Sequence, residues 1–250
     1  MTIPIDATAV TAFILALVRA SVFIVIAPPF NTKSIPVSVK AGLAAALSLA
    51  AVSQIPPASL SLDVAPFAAA IVTQALVGLV MGTIMMMVMS AVQSAGSLID
   101  VFAGFSIAAI YDPLSDNTAS IFGRFYQLIA VTLIFATNAH LLIVEGFFQS
   151  FRVIPANAYQ PSVIARILTL NMGQVFVAAL EIAGPVVACL FLAELTMGLV
   201  ARAAPSLNVF SLAFPVRVGV TLLVVALAIP LLSPAVSNLV DLGIRSFLGH

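Results

Sequence analysis

The sequence has no tryptophan, one cysteine and two histidines, and only 7% of its 250 residues are charged. Each shortage excludes something. Soluble domains carry about a quarter charged residues, so this chain has too few charges to cover a water-facing surface. Its one cysteine, Cys189, cannot form an internal disulfide, and its place in an apolar run reads as a small core residue. Two histidines, His140 and the terminal His250, with scattered carboxylates, do not make a clustered metal site. The motifs His-Glu-x-x-His and Gly-x-Ser-x-Gly and the phosphate-binding loop are all missing. No catalytic constellation is found, so no cofactor is expected and the chain is not expected to be an enzyme. Nine basic residues balance nine acidic ones, and no net charge points to nucleic acid. Without tryptophan, an interfacial belt rests on Tyr111, Tyr126 and Tyr159. That is thin for a protein facing lipid all round, and suits a subunit mostly surrounded by other protein.

What remains is apolar: 62% of the residues are hydrophobic, and no charged side chain occurs from Val64 to Ile99. As one helix that run is ~54 Å long, more than a ~30 Å hydrocarbon core requires. The expected fold is all-α: a polytopic helical membrane protein with long kinked helices and helical hairpins.

In chain order, Met1 to Ala9 holds no Lys or Arg, so the first apolar segment, Val10 to Ala27, is expected to be retained and not cleaved. Pro28 and Pro29 end it, and Lys33 and Lys40 follow. Positive charge after the first span and none before it places the N terminus outside and this loop in the cytoplasm. A second segment covers Val37 to Ile55, and a third covers Pro66 to Val92 with Gly78-x3-Gly82, a close-packing signature. Met81, Met85 and Met89 recur every four residues and form one stripe, either adaptable core filling or the soft lining of a conduit. Ile121 to Thr137 and Leu141 to Phe151 are separated by Asn138-Ala139-His140, as in a bent helix or a tight hairpin. Asn171 to Val200 contains Gly184-Pro185, which predicts a kink. The last apolar run, Val216 to Leu232, is expected to close at Pro230 and Pro234, with a short amphipathic helix from Ser237 to His250. Arg202 and Arg217 put the loop between them on the cytoplasmic side.

One polar stretch interrupts this pattern, from Gln93 to Arg124, and it holds Asp100, Asp112 and Asp116. Ser, Gly, Asn and Pro break it into pieces too short to cross a bilayer. It is either a solvated loop or a segment buried in protein or lining a watery cavity. Four charges, Arg19, Glu145, Glu181 and Glu194, fall inside apolar segments, with Asp100 at the mouth of the central stretch. Such charges serve either an ion relay or ion pairing with other helices or subunits. No two acids lie at a spacing that forms a relay, which favours pairing. Glu194 and Arg202 are too far apart along a helix axis to touch. An internal echo, Ala27-Pro28-Pro29-Phe30-Asn31 and Ala204-Pro205-Ser206-Leu207-Asn208, is the kind of duplication seen in transporters.

Val92-Gln93-Ser94-Ala95-Gly96-Ser97-Leu98-Ile99-Asp100, Gly104-Phe105-Ser106 and Tyr111-Asp112-Pro113 resemble the FliR family of flagellar biosynthesis proteins and its virulence-secretion relatives. So do Phe122-Gly123-Arg124-Phe125, Asn138 with His140, Ser150-Phe151 ending at Pro155, and Ala204-Pro205-Ser206-Leu207-Asn208-Val209-Phe210-Ser211 with Phe214-Pro215-Val216. The early Arg19, Pro28, Phe30, Pro36 and Lys40 fit as well, and the resemblance covers nearly the whole chain. Ala139 departs from it, where a Gly is expected. The Asp-Pro and Asn-x-His features lean towards a flagellar machine over an injectisome.

The resemblance implies a subunit of the type III export gate, assembled with FliP-like and FliQ-like chains into a closed helical pore. It implies a FliP-like part over 1–165 and a FliQ-like hairpin with a tail over 166–250. It also implies FlhB-like and FlhA-like proteins on the cytoplasmic side, unfolded flagellar proteins as substrates, and a place in the bacterial inner membrane within the flagellar basal body. Resemblance and side-chain chemistry together suggest a pore plug in the central stretch. Gly104 allows a turn, Pro113 stops a regular helix, Phe102, Phe105, Ile110 and Tyr111 fill a lumen, and Ser106 and Asp112 stay hydrated. The alternative is a secondary transporter for a small molecule or an ion.

Overall fold

A chain this apolar must satisfy its backbone polar groups within itself wherever water is absent, and the helix does so residue by residue. The computed structural model describes residues 7–28, 30–32, 35–56, 63–105, 120–154, 161–204 and 209–248, with the backbone alone for 161–172 and 209–212. Among the described residues every regular element is helical. In order they are α1 (Ala7–Ile26), α2 (Val37–Ala51) with a 3-10 turn at Val52–Gln54, α3 (Val64–Ala103), α4 (Ile121–Ala136), α5 (Ala139–Val153), α6 (Pro161–Ala203) and α7 (Val209–Leu248). Five of these stretches are long and apolar enough to cross a membrane, and α4 with α5 qualifies as a broken pair.

Three boundaries differ from the sequence expectation, each for a physical reason. Helix α3 does not stop at Val92 but runs on to Ala103, so the first third of the central polar stretch is regular helix. Its polar side chains are compatible with that path: Ser97 donates to the Gln93 carbonyl one turn back, at 3.1 Å. Helix α6 begins at Pro161, ahead of the expected Asn171, with proline at the first helical position, where its missing N–H costs nothing. Helix α7 passes through Pro215, Pro230 and Pro234 and ends at Leu248, so the last apolar run and the tail form one helix. Each proline removes one hydrogen bond, but in apolar surroundings the rest of the ladder has no water to turn to, so the helix persists. Pro185 likewise lies inside α6.

Hydroxyl groups follow the same rule. Thr11, Ser48, Thr73, Thr83 and Thr196 each donate to the carbonyl four residues back. Between α4 and α5 the break falls at Thr137-Asn138. Asn138 takes a left-handed conformation (φ 59°), which asparagine tolerates and which ends a helical path.

The chain packs as two compact units, each built from separate stretches. Unit 1 comprises Met1–Val88, Asn138–Gly173 and Val240–His250. In it α1 lies on α2, and α3 meets α1 at the two glycines of the Gly-x3-Gly pair. A Cβ on Gly78 would sit 2.5 Å from the Arg19 carbonyl oxygen, and one on Gly82 would sit 2.7 Å from Cβ of Ile26. Gly146 of α5 similarly admits Ile244 from the end of α7. Phe23 and Phe147 stack at 5.8 Å in the core. Unit 2 comprises Met89–Thr137 and Gln174–Leu239. Within it α3 meets α4 at Gly96, and Ser237 donates to Thr137 at 3.3 Å.

Candidate functional site

The described flanks of the central stretch converge on Asp100, in unit 2. Helix α3 ends in a Schellman motif. Gly104 adopts φ 81°, its N–H reaches the Val101 carbonyl at 3.2 Å, and the Phe105 N–H reaches the Asp100 carbonyl at 3.0 Å. On the far side, Ser120 caps α4 by accepting the Gly123 N–H at 2.8 Å. Asp100 joins the two ends. Its carboxylate, buried to 3% exposure, accepts the Ser120 hydroxyl and the Phe122 N–H, the latter at 3.1 Å. A negative group at the first turn of α4 meets the positive end of the helix dipole and the free N–H groups there. Gly96, one turn earlier on α3, makes room: a Cβ there would fall onto the backbone of Phe122 and Gly123. One residue thus ties the two described flanks of the central stretch together, through its backbone carbonyl on one side and its carboxylate on the other.

Side chains of α7 approach the same turn. A Cβ on Gly104 would lie 3.0 Å from Nη1 of Arg217, while Nη2 of Arg217 pairs with Glu194 of α6 at 2.5 Å. The Phe105 ring lies 5.8 Å from Phe122 and 6.5 Å from Phe214. Of the expected plug residues, Phe102 is exposed on the last turn of α3 and Gly104 and Phe105 form the turn. Ser106, Ile110, Tyr111, Asp112 and Pro113 lie outside the described residues.

The remaining candidates sit elsewhere. Met81, Met85 and Met89 are buried in the helix packing. Met81 and Met85 line a small cavity in unit 1 with Phe23, Ile84, Ile143 and Phe247. Arg19, also in unit 1, is fully buried and forms a hub. Nε donates to Gln74 Oε1 at 2.7 Å, Nη1 to Ser150 Oγ at 2.7 Å and Nη2 to the Ile154 carbonyl at 3.0 Å. The guanidinium carbon lies 3.9 Å from the centre of the Phe151 ring. Among the described residues it meets no carboxylate. Its electrostatic counterpart is the C-terminal end of α5, whose cap is Ile154. Glu145 accepts from Gln149 at 3.0 Å. Glu181 is exposed and, among the described residues, makes no ion pair.

Sequence reasoning placed Asp100 only at the mouth of the stretch, named Ser150 only as part of the family resemblance, and missed Ser120 and Gln74. Ser120 was findable, since a serine just before an apolar run is an N-cap signal. Gln74 carried no signal and the partner of Ser150 could not be read, because both roles depend on α1, α3 and α5 meeting.

The long apolar helices define a polytopic helical membrane protein in which a buried aspartate ties the end of α3 to the start of α4. Residues 10–243 match the family described as Bacterial export proteins, family 1, and the chain belongs to that family. It is 34% identical over 240 residues to the flagellar biosynthetic protein FliR of Bacillus subtilis, spanning 94% of this chain and 92% of that one. The flagellar biosynthetic protein FliR of Escherichia coli is 29% identical over 226 residues, with 89% and 86% covered. The Yop proteins translocation protein T of Yersinia pestis is 29% identical over 164 residues, with 64% and 63% covered.

Proposed function

We propose that this chain is a membrane-embedded subunit of a type III protein export gate and helps form and close the pore through which unfolded flagellar proteins are exported. The observation that carries this is the match to an export family along nearly the whole chain, with flagellar and secretion relatives. The gate is read as an assembly with FliP-like and FliQ-like chains in the inner membrane, within the flagellar basal body. FlhB-like and FlhA-like proteins lie on its cytoplasmic side. Residues 1–165 and 166–250 are read as the FliP-like and FliQ-like parts. The exposed apolar side chains of α6 and α7, among them Phe176, Phe191, Leu195, Leu223 and Leu227, suit a chain enclosed by such partners. The protein is read as structural, not catalytic.

The plug is assigned to the 102–113 region, and the Asp100 node supports that assignment. A segment whose two ends are tied together can move without unravelling the helices it joins. The buried methionines then lend deformability to the packing. The transporter alternative finds no support: Glu194 is taken up by Arg217, and the named relatives are export and translocation proteins.

Shortening the segment between Ser106 and Asp116 tests the reading. The complex should still copurify with FliP-like and FliQ-like chains while leaking ions across the membrane. A shortened variant that assembles, stays tight to ions and exports normally removes the plug assignment.

A further inference from the structure

We propose that the face of α5 carrying Glu145 and Arg152, with the groove beside it, is the docking surface for one helix of a partner subunit. That helix presents a basic residue to Glu145 and, two turns along, an acidic residue to Arg152. The existence of partner subunits rests on the export-gate reading above; the charge pattern does not.

The groove lies wholly within unit 1. Its volume is about 310 Å³, and it is lined by Ala50 of α2, Gln54 of the 3-10 turn, and Glu145, Phe148, Gln149 and Arg152 of α5. The two charges are held in place but not neutralised. Gln149 donates its amide to Glu145 at 3.0 Å, and Nε and Nη2 of Arg152 donate to Oε1 of Gln54 at 3.1 and 2.8 Å. Both partners are neutral, and among the described residues neither charge enters an ion pair. Both residues are exposed. Helix α5 belongs with α4 to a broken pair apolar enough to cross a membrane. A charge there is costly unless another protein supplies its opposite.

The spacing says what kind of partner fits. Leu141, Glu145, Phe148 and Arg152 follow one another at steps of four, three and four, as in a seam that packs along a second helix. Glu145 and Arg152 are ~10 Å apart along the axis, so one neighbouring helix reaches both. A parallel second copy of α5 would set Glu145 against Glu145 and Arg152 against Arg152, and like charges oppose that pairing. A zwitterionic lipid headgroup is disfavoured by order, because Arg152 is on the last turn of α5 and Glu145 at mid-helix. A phosphate taken up at the helix end leaves its amine on the aqueous side, away from Glu145.

The test exchanges the two charges within this chain, Glu145→Arg with Arg152→Glu, in the full chain extracted from the membrane with its accompanying subunits. Net charge is kept, and the two glutamine amides, which donate or accept, hold either sign. The melting temperature of the solubilised chain should therefore stay within about 2 °C of the parent. Docking is read by photocrosslinking from p-benzoylphenylalanine placed at position 148. The parent adduct should form on a separate chain, in a helix with a basic and an acidic residue two turns apart. In the exchanged variant its yield should fall by about tenfold or more, since like charges then face each other across the interface. Should the exchanged chain melt earlier than expected, Glu145→Gln, which keeps the contact with Gln149, decides in its place, with a fall of about fivefold. An unchanged yield, or a parent adduct absent or confined to lipid or to a second copy of this chain, overturns the proposal. Charge-dependent adducts on a chain unrelated to protein export keep the docking surface and remove the gate reading. Adducts on an export subunit lacking those charges do the reverse.

Discussion

Replacing Arg19 with methionine should be among the most damaging single changes in the chain. Methionine preserves much of the side-chain volume, so the loss is mainly polar. The guanidinium satisfies Gln74 Oε1, Ser150 Oγ and the Ile154 carbonyl, all within 3.0 Å. Ser150 keeps a partner without it, because its hydroxyl also donates to the Phe147 carbonyl. Gln74 and Ile154 do not fare so well. The Gln74 amide nitrogen is already buried with no partner among the described residues, so the variant leaves that whole amide unpaired there. Two orphaned acceptors at about 1–3 kcal/mol each give about 2–6 kcal/mol, and the lost contact with Phe151 adds roughly 0.5–2 kcal/mol. Relief from burying a cation offsets part of this, because apolar replacement of buried charge is often favourable once no polar partner is stranded. A net loss near 3 kcal/mol corresponds to a fall in Tm of roughly 6–12 °C for a chain of this size. A thermal scan of the solubilised protein by far-ultraviolet circular dichroism reads it directly. The double variant Arg19→Met with Gln74→Leu removes one of the stranded groups and should recover about half of the loss. A single variant that melts within about 2 °C of the parent would refute the polar accounting, since that shift is under about 1 kcal/mol.

Gly96→Ala should separate α3 from α4, because its Cβ would meet backbone, with the Gly123 nitrogen at 2.6 Å, and backbone cannot give way as a side-chain tip can. A cost of about 1–3 kcal/mol is expected in the same thermal scan, whereas Gly198→Ala, with nothing within 4 Å of the new Cβ, should be neutral or slightly stabilising. In a Cys189→Ser background, Ser34→Cys and Ser206→Cys should resist an impermeant external thiol reagent in spheroplasts, and Ser61→Cys should react more readily. Strong external labelling at position 34 would overturn the topology drawn from charge bias.

The helical character and the membrane class were legible because composition and run length decide them, and neither depends on tertiary contacts. Boundaries were less legible. Hydropathy marks where a helix is apolar, not where it is helical, so α3 was cut at Val92 though its helix reaches Ala103, and α6 was begun at Asn171 though it starts at Pro161. Prolines 230 and 234 were read with the rule for water, where a broken hydrogen bond is replaced by solvent. In a chain that faces lipid or other helices no such replacement exists, and α7 continues through both. The Gly78-x3-Gly82 signature was legible because its meaning is local to one helix face: small residues admit a backbone, and the backbone of α1 is there.

The site divides along the same line. Gly104 and Phe105 could be singled out from sequence, because a glycine after a helical run is a stop signal in its own right. The partner of Glu194 could not be found that way. Counting along one helix led to Arg202, eight residues on, which is out of reach, whereas Arg217 lies across a hairpin and comes within 2.5 Å. Which residue of α7 faces Glu194 depends on where the hairpin turns, and a shift of one position would move Arg217 by about 100° around its helix. Asp100 shows the limit most plainly. An aspartate late in a helix is unfavourable by the dipole rule if only its own helix is considered, since it sits near the negative end. It becomes favourable only because the start of α4, the positive end of another helix, is folded back onto it. A residue that looks misplaced in its own element is therefore a pointer to a second element nearby, and here that second element is the first turn of α4.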